Sequence, residues 1–381
     1  MSLYTPEGIL PVIPHAMAQI ERRLPHPGEV LARAGGRVEP EDIVAKAFSP
    51  EPPLIINVAR LLSIPPAQVE RAMRREVGNK VAKGDVLAST SRFAGRNCST
   101  PVNGMITAVD GETGYVTIAP DPVEYQLAAS VRGVVMQILP HTGVIIETLA
   151  AQVHGILGFG EERSGVLRLL VTDPTEIVDA EKIDAKSAYA ILICGAGITA
   201  AALRRSVKEQ VRGIIVGGIA EAELRAFLGW AAISDWQTGI SGWSVPNTAH
   251  SADPKLTIML TEGLGIHPMA QPIFDLLSEH DRQEALIEGR TSLRRPLRRP
   301  RLVVPLARSA GAQVEPPQPV LRPGSTVRLI DYAHLGQIAR VRAISSAPRR
   351  LASGLRVAAV EIDQPDGAPF WLPRTAIEVL E

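Results

Sequence analysis

Ala188-Tyr189-Ala190-Ile191-Leu192-Ile193-Cys194-Gly195-Ala196-Gly197-Ile198-Thr199-Ala200 is the stretch on which the fold turns. Ala188 to Cys194 is a short apolar run that reads as a buried strand, and the glycines after it lead into a helix over Thr199 to Gln210. Downstream, Arg212 to Val216 reads as a strand, Ala220 to Trp230 as a helix and Lys255 to Leu260 as a strand. Pro272 to Glu279 then reads as a helix and Arg301 to Pro305 as a strand. Alternation of strand and helix signals predicts an α/β segment over 173–312 with a mostly parallel sheet.

The same stretch is the first candidate site. Gly195, Gly197 and Ala200 fit the spacing Gly-x-Gly-x-x-Gly/Ala, in which glycines let a pyrophosphate approach a helix N-terminus. The next strand departs from that pattern: it ends in Gly217-Gly218, where a dinucleotide site places an acid for the ribose, and Glu221 comes late. The competing reading is a plain glycine-rich strand-to-helix turn. Cys194 would stand near a helix N-terminus, where a thiolate is favoured, or it is simply a buried cysteine at a strand end. Thr261 to Met269 would lie at the carboxyl end of a strand, where open α/β sheets place ligands. Within it, Glu262 and His267 could form an acid/base pair or share a metal, with Glu262 as a capping or turn residue the alternative. The eight histidines are scattered and make no close-spaced metal motif. Gly195, Gly197, Gly217, Gly218, Glu262 and His267 together form the candidate ligand pocket.

The first half of the chain carries an internal echo. Gly35-Gly36-Arg37-Val38-Glu39-Pro40-Glu41-Asp42-Ile43-Val44-Ala45 lines up with Gly78-Asn79-Lys80-Val81-Ala82-Lys83-Gly84-Asp85-Val86-Leu87-Ala88. Each reads as a turn, a Val, a second turn carrying Asp, and an apolar strand. Val102 to Ile106 and Val131 to Val135 form a second pair, each with a Gly before its strand. Asn57 to Glu76 reads as two short helices separated by Pro65-Pro66. Gly78 to Ala88, followed by Thr100-Pro101-Val102-Asn103-Gly104, resembles the barrel-sandwich hybrid of biotinyl- and lipoyl-type domains over residues 25–170. The resemblance implies a β module of the non-carrier kind. No Ala-Met-Lys-Met or Asp-Lys-Ala is present, so neither biotin nor lipoate, nor any other cofactor, is expected; Lys46 is the nearest candidate lysine and reads as an ordinary surface lysine. Gly155 to Gly165 is a glycine-rich loop that could hold an anion or serve as a turn, and it lacks the Gly-Lys-Ser/Thr ending of a P-loop.

Pro316-Pro317-Gln318-Pro319 signals a linker, and Gly324 to Leu380 reads as a small β-barrel of four or five short strands. Pro323 to Leu329 and Leu335 to Val341, with Gly336 between them, resemble the KOW motif of SH3-like barrels. The expected organisation is multidomain α+β: an N-terminal extension at 1–24, the barrel-sandwich-like module at 25–172, the α/β segment at 173–312 and the SH3-like barrel at 320–381.

The chain has 381 residues, 45% hydrophobic and 21% charged, with Lys+Arg and Asp+Glu both at 40. The net charge therefore gives no global pull toward nucleic acid or acidic lipid. The charge is uneven, however: Arg290 to Glu381 holds 15 Arg against 7 acids, a balance of +8. Arg290, Arg294, Arg295, Arg298, Arg299 and Arg301 crowd one stretch with no acid among them. They could contact nucleic acid or dock onto the protein's own acidic parts. No apolar run reaches the ~18 residues of a membrane span, so no membrane insertion is expected. The start shows no signal peptide, and two distant cysteines fit a reducing, cytoplasmic setting. In the absence of a complete catalytic set, the sequence points to a non-enzymatic multi-module adaptor with a protein partner. The alternatives are a nucleic-acid-associated factor and an α/β protein or enzyme that binds a nucleotide or another small ligand.

Overall fold

A computed structural model describes residues 10–91, 95–229, 253–291, 299–307, 320–331, 334, 336–352, 354, 356–363 and 367–380, and the backbone of 237–239 and 242–244. The protein is mostly β, with several sheets, one large mixed sheet in which some strands are parallel, and few helices.

The large sheet has eleven strands. They are β1 (Val12–Arg23), β2 (Arg37–Val38), β3 (Gly133–Leu139), β4 (Gly143–His154), β5 (Leu157–Phe159), β6 (Arg163–Leu169), β7 (Ala190–Ile193), β8 (Gly213–Ile219), β9 (Thr257–Leu264), β10 (Glu284–Glu288) and β11 (Arg301–Pro305). Their order is β5-β9-β8-β7-β6-β10-β11-β4-β3-β2, with β1 paired along β4. Only β6, β7, β8 and β9 run parallel to one another. The expectation of a mostly parallel sheet is thus corrected to a mixed one. The strand-helix units do build a parallel block, joined by α1 (Ala200–Lys208) and α2 (Glu221–Leu228). Beyond it, β10 and β11 add antiparallel and carry the sheet on to β4.

The parallel block explains its own sequence. Ile191, Leu192, Ile193, Ile214, Ile215, Val216, Ile258, Met259 and Leu260 are fully buried, as continuous apolar strands covered on both faces must be. Residues 12–23, inside the expected N-terminal extension, form β1, which pairs with β4 almost along its whole length. The sheet also crosses residue 172, because β3 to β6 all belong to it.

The echo in the sequence is a structural repeat. Gly35 and Gly78 both adopt positive φ, +78° and +90°, and each donates its N–H to a residue of the second echoed pair, to Val135 and Ile106 at 2.7 Å. Val38 lies opposite Gly133 as Val81 lies opposite Gly104. In the turns that follow, the Asp42 carboxylate accepts from the Glu39 N–H at 2.8 Å, and the Asp85 carboxylate from the Ala82 N–H at 3.2 Å. The two copies serve different sheets. The first feeds β2 into the large sheet. The second closes a four-stranded sheet of Leu54–Asn57, Tyr115–Pro120, Gly104–Val109 and Lys80–Val81 over a core of Leu62, Val69, Leu87, Ile106 and Ile118. Lys46 sits within the strand Ile43–Ser49, paired with Glu29 at 3.2 Å.

Residues 320–380 form a five-stranded antiparallel sheet in the order Phe370–Pro373, Ala359–Asp363, Ile338–Ile344, Thr326–Leu329, Ile377–Val379. Val327, Leu329, Val341, Val360, Ile362 and Val379 make its core. Ile330 leaves that sheet and packs into the core of the parallel block.

His154 closes β4, opposite Arg301 of β11, with Nδ1 3.1 Å from the Leu10 carbonyl. Burial, with the Arg301 guanidinium also facing it, lowers its pKa to about 4, so the ring is neutral at pH 7 and Nδ1–H donates. The unfolded histidine titrates near 6.5, so the unfolded chain gains the proton first as pH falls. Stability is thus full above that value and is lost as pH drops toward 4. Urea unfolding of the protein should show about 2 kcal/mol less stability at pH 5 than at pH 7 beyond that of His154→Gln. Equal pH slopes for the two proteins would refute this.

Candidate functional site

The three loops of the expected pocket do meet at the carboxyl ends of β7, β8 and β9, and they meet backbone against backbone. The Gly217 N–H donates to the Gly195 carbonyl at 2.9 Å, the His267 N–H to the Ala196 carbonyl at 3.1 Å and the Gly265 N–H to the Ile219 carbonyl at 2.9 Å. Gly195, Gly197, Gly217 and Gly218 are all buried. A Cβ on Gly217 would stand 2.0 Å from the His267 carbonyl oxygen, one on Gly218 2.4 Å from that of Gly265, and one on Gly195 2.4 Å from that of Glu176. These glycines therefore let loops approach one another. The glycines of the 155–165 loop behave alike: a Cβ on Gly158 would stand 2.5 Å from the Gly289 carbonyl oxygen.

The helix N-terminus that would receive a phosphate is already occupied. Thr199 caps α1 by accepting from the Ala202 N–H, and the Glu223 carboxylate of α2 accepts from the Ala200 N–H at 2.6 Å. A carboxylate at a helix N-terminus satisfies an orphan donor and the helix dipole together. Cys194 lies before that helix, fully buried, and burial pushes its thiol up to about 12, which keeps it protonated. Glu262 accepts from the Ala270 N–H at 3.1 Å, just before α3 (Gln271–Glu279), while His267 Nε2 bonds the Leu264 carbonyl at 2.9 Å. The two side chains thus serve separate turns. Among the described residues no group of three or more His, Cys, Asp and Glu could hold a metal.

The C-terminal sheet docks on this end of the molecule. Gly336, at φ +91°, presses on the end of β9: a Cβ there would stand 1.9 Å from the Glu262 carbonyl oxygen. Glu378 of the last strand pairs with Arg299 at 3.0 Å, their side chains only 3% and 1% exposed. Arg299 also donates to the Ile156 carbonyl. Arg328, equally buried, stands opposite Glu378 in the register of the sheet.

The arginine run is divided. Arg294, Arg295 and Arg298 lie outside the described residues. Arg299 is buried, Arg301 pairs with Glu288, and Arg290 pairs with Glu161 at 2.6 Å. Those three dock on the protein's own acids. A different basic feature emerges in the C-terminal sheet. Its outlying hairpin, Arg349–Arg350 with Arg356–Val357, places the Arg349 guanidinium 4.0 Å from the Trp371 ring centroid. Arg349, Arg350 and Arg356 are exposed and form no ion pair among the described residues. Sequence reasoning passed over them because Trp371 is twenty-odd residues from Arg349. The adjacent Arg349-Arg350 pair was the available signal.

Two variants test the packing. Gly217→Val should destabilise the protein by about 3 kcal/mol in urea unfolding, because backbone cannot retreat from the added carbons; an unchanged midpoint would mean the loops are not in contact. Glu378→Gln leaves the buried Arg299 guanidinium without its counter-charge and should cost about 3–5 kcal/mol, more than Arg299→Met combined with Glu378→Leu, which removes both charges. The reverse ranking would refute this reading of the pair.

No protein-family model matches this chain, and no curated protein matches it.

Proposed function

We propose that this protein is a non-enzymatic scaffold that presents rigid β surfaces to a macromolecular partner. The observation that carries the reading is the closure of the carboxyl ends of β7, β8 and β9. The place where an α/β sheet ordinarily takes its ligand is filled by the chain's own loops, by Glu223 and by the docked C-terminal sheet. In this reading the N-terminal repeat is a barrel-sandwich hybrid without a carrier lysine, and the C-terminal sheet is an SH3-like barrel. The pairing of Gly35–Ala45 and Gly78–Ala88 with their echoed partners supports the first, and the five short antiparallel strands around Gly336 support the second. A cytoplasmic setting fits two free, buried cysteines. Among the described residues no helix is long and apolar enough to cross a membrane.

The presenting surface is the Arg349, Arg350, Arg356 and Trp371 hairpin face. Cation–π stacking holds Arg349 against Trp371, and the two neighbouring arginines are available for an acidic protein surface. The same face favours a second reading, a nucleic-acid contact, since an aromatic ring among unpaired arginines suits a stacked base and its phosphates.

One experiment separates the readings. The tagged full-length protein and a variant with Arg349, Arg350 and Arg356 changed to Ser are compared in native co-purification from the source cell. Both are also titrated against labelled RNA and DNA by fluorescence anisotropy at low and moderate salt. A stoichiometric protein partner lost by the variant, without nucleic-acid binding, is the expected result. Nucleic-acid binding whose logarithm falls against log salt with a slope of about −2 to −3, abolished in the variant, would put the second reading first. Neither kind of binding would sink both.

A further inference from the structure

Clefts open beside the large sheet, and two of them arrange their charges differently. In the first, of about 570 Å³, Arg22 pairs with Glu162, Arg290 with Glu161 and Glu288 with Arg301, so the walls neutralise themselves. The second, of about 610 Å³, lies between the first repeat's turn and the start of β6 and β10. Its N-terminal wall carries Glu39, Glu41 and Arg132, and its sheet wall carries Tyr189, Arg212 and Glu284. None of these five charged side chains forms an ion pair among the described residues.

The aromatic element of this cleft is built at a conformational cost. Tyr189 adopts φ +61°, in the left-handed region that a tyrosine rarely visits. Its N–H donates to the Gln210 carbonyl at 3.0 Å, which holds it there. The residue is left 56% exposed, with the Arg212 guanidinium 5.1 Å from the ring centroid. Gly165 makes the stack possible: a Cβ there would stand 2.6 Å from the Tyr189 carbonyl oxygen and 3.3 Å from the Arg212 side chain. Across the cleft, Ser130 is also left-handed, at φ +61°. Strained non-glycine residues that converge on one cavity are the kind of feature a binding site retains. A glycine at position 189 would fold at lower cost, and the exposed residue buries little in return.

We propose that this cleft binds a small molecule with a planar ring that carries both an anionic group and an amino group. The ring stacks on the Tyr189–Arg212 pair, the anion lies between Arg132 and Arg212, and the amino group faces the carboxylates of Glu39, Glu41 and Glu284. The volume suits one small ligand of this kind. The site goes beyond the scaffold reading and does not depend on it.

The test uses the full-length protein and saturation-transfer NMR with two ring-bearing probes, L-tryptophan and adenosine 5′-monophosphate. Putrescine and inorganic phosphate serve as ringless controls, observed through competition. Binding of a ring-bearing probe is expected, and which of the two binds tells an amino-acid source from a nucleotide one. Arg212→Ala and Tyr189→Gly should each weaken binding about tenfold or more. Tyr189→Gly should leave Tm unchanged or raise it, because glycine relieves the left-handed backbone, and a purely structural tyrosine would not behave so. No saturation transfer to either ring-bearing probe would overturn the proposal. So would binding that both variants retain, or displacement by the ringless controls alone.

Discussion

A guanidinium and a carboxylate, almost wholly removed from water, hold the C-terminal sheet against the large sheet. Arg299 precedes β11 and reaches the backbone beside β5, while Glu378 comes from the last strand of the C-terminal sheet. Such a pair adds little net stability over an apolar contact of the same shape, but neither partner tolerates being left alone. The contact therefore works as a specificity device. In the docked position the charges meet, Ile330 enters the core of the parallel block and Gly336 closes on Glu262. The C-terminal sheet is in this way held against the large sheet.

The carboxyl end of the parallel block is closed by its own loops. An open α/β sheet leaves a crevice outside the carboxyl ends of its strands because the connecting loops diverge. Here the loops converge, since Gly195, Gly217 and Gly218 have no side chain at the points where the neighbouring backbone comes closest. Glu223 then supplies the negative charge that a bound phosphate would otherwise bring to α1. The chemistry of the fingerprint is present, but the protein satisfies it internally.

Local signals were legible and distant ones were not. Strands β7, β8 and β9 and helices α1, α2 and α3 follow from apolar runs and punctuating residues, and each lies within a few residues of its expected place. The echo between Gly35 and Gly78 was legible because turn geometry demands particular residues, a positive-φ glycine and an Asp that accepts from a nearby N–H. Pairing between remote strands leaves no such mark. Nothing in Val12–Arg23 names β4 as its partner, and β10 and β11 look the same whether they end a parallel sheet or bridge to an antiparallel one. Arg299 misled for a related reason: a charge run is usually solvated, and only its contact with Glu378, far along the chain, shows otherwise. The Tyr189 and Arg212 stack was hidden because each lies at the start of a different strand.

The position of β4 bears on how the chain reaches this state. It is the one strand that touches β1, β3 and β11, so it joins the earliest part of the chain to a segment made much later. During synthesis β1 emerges without its partner, and one side of β4 waits for β11. Contacts of such long sequence separation are entropically expensive to close, and they make folding slow. Until β11 arrives, the edge of β4 from Ala150 to His154 has no ladder partner, and an unpaired strand edge in a partly made chain is prone to aggregate.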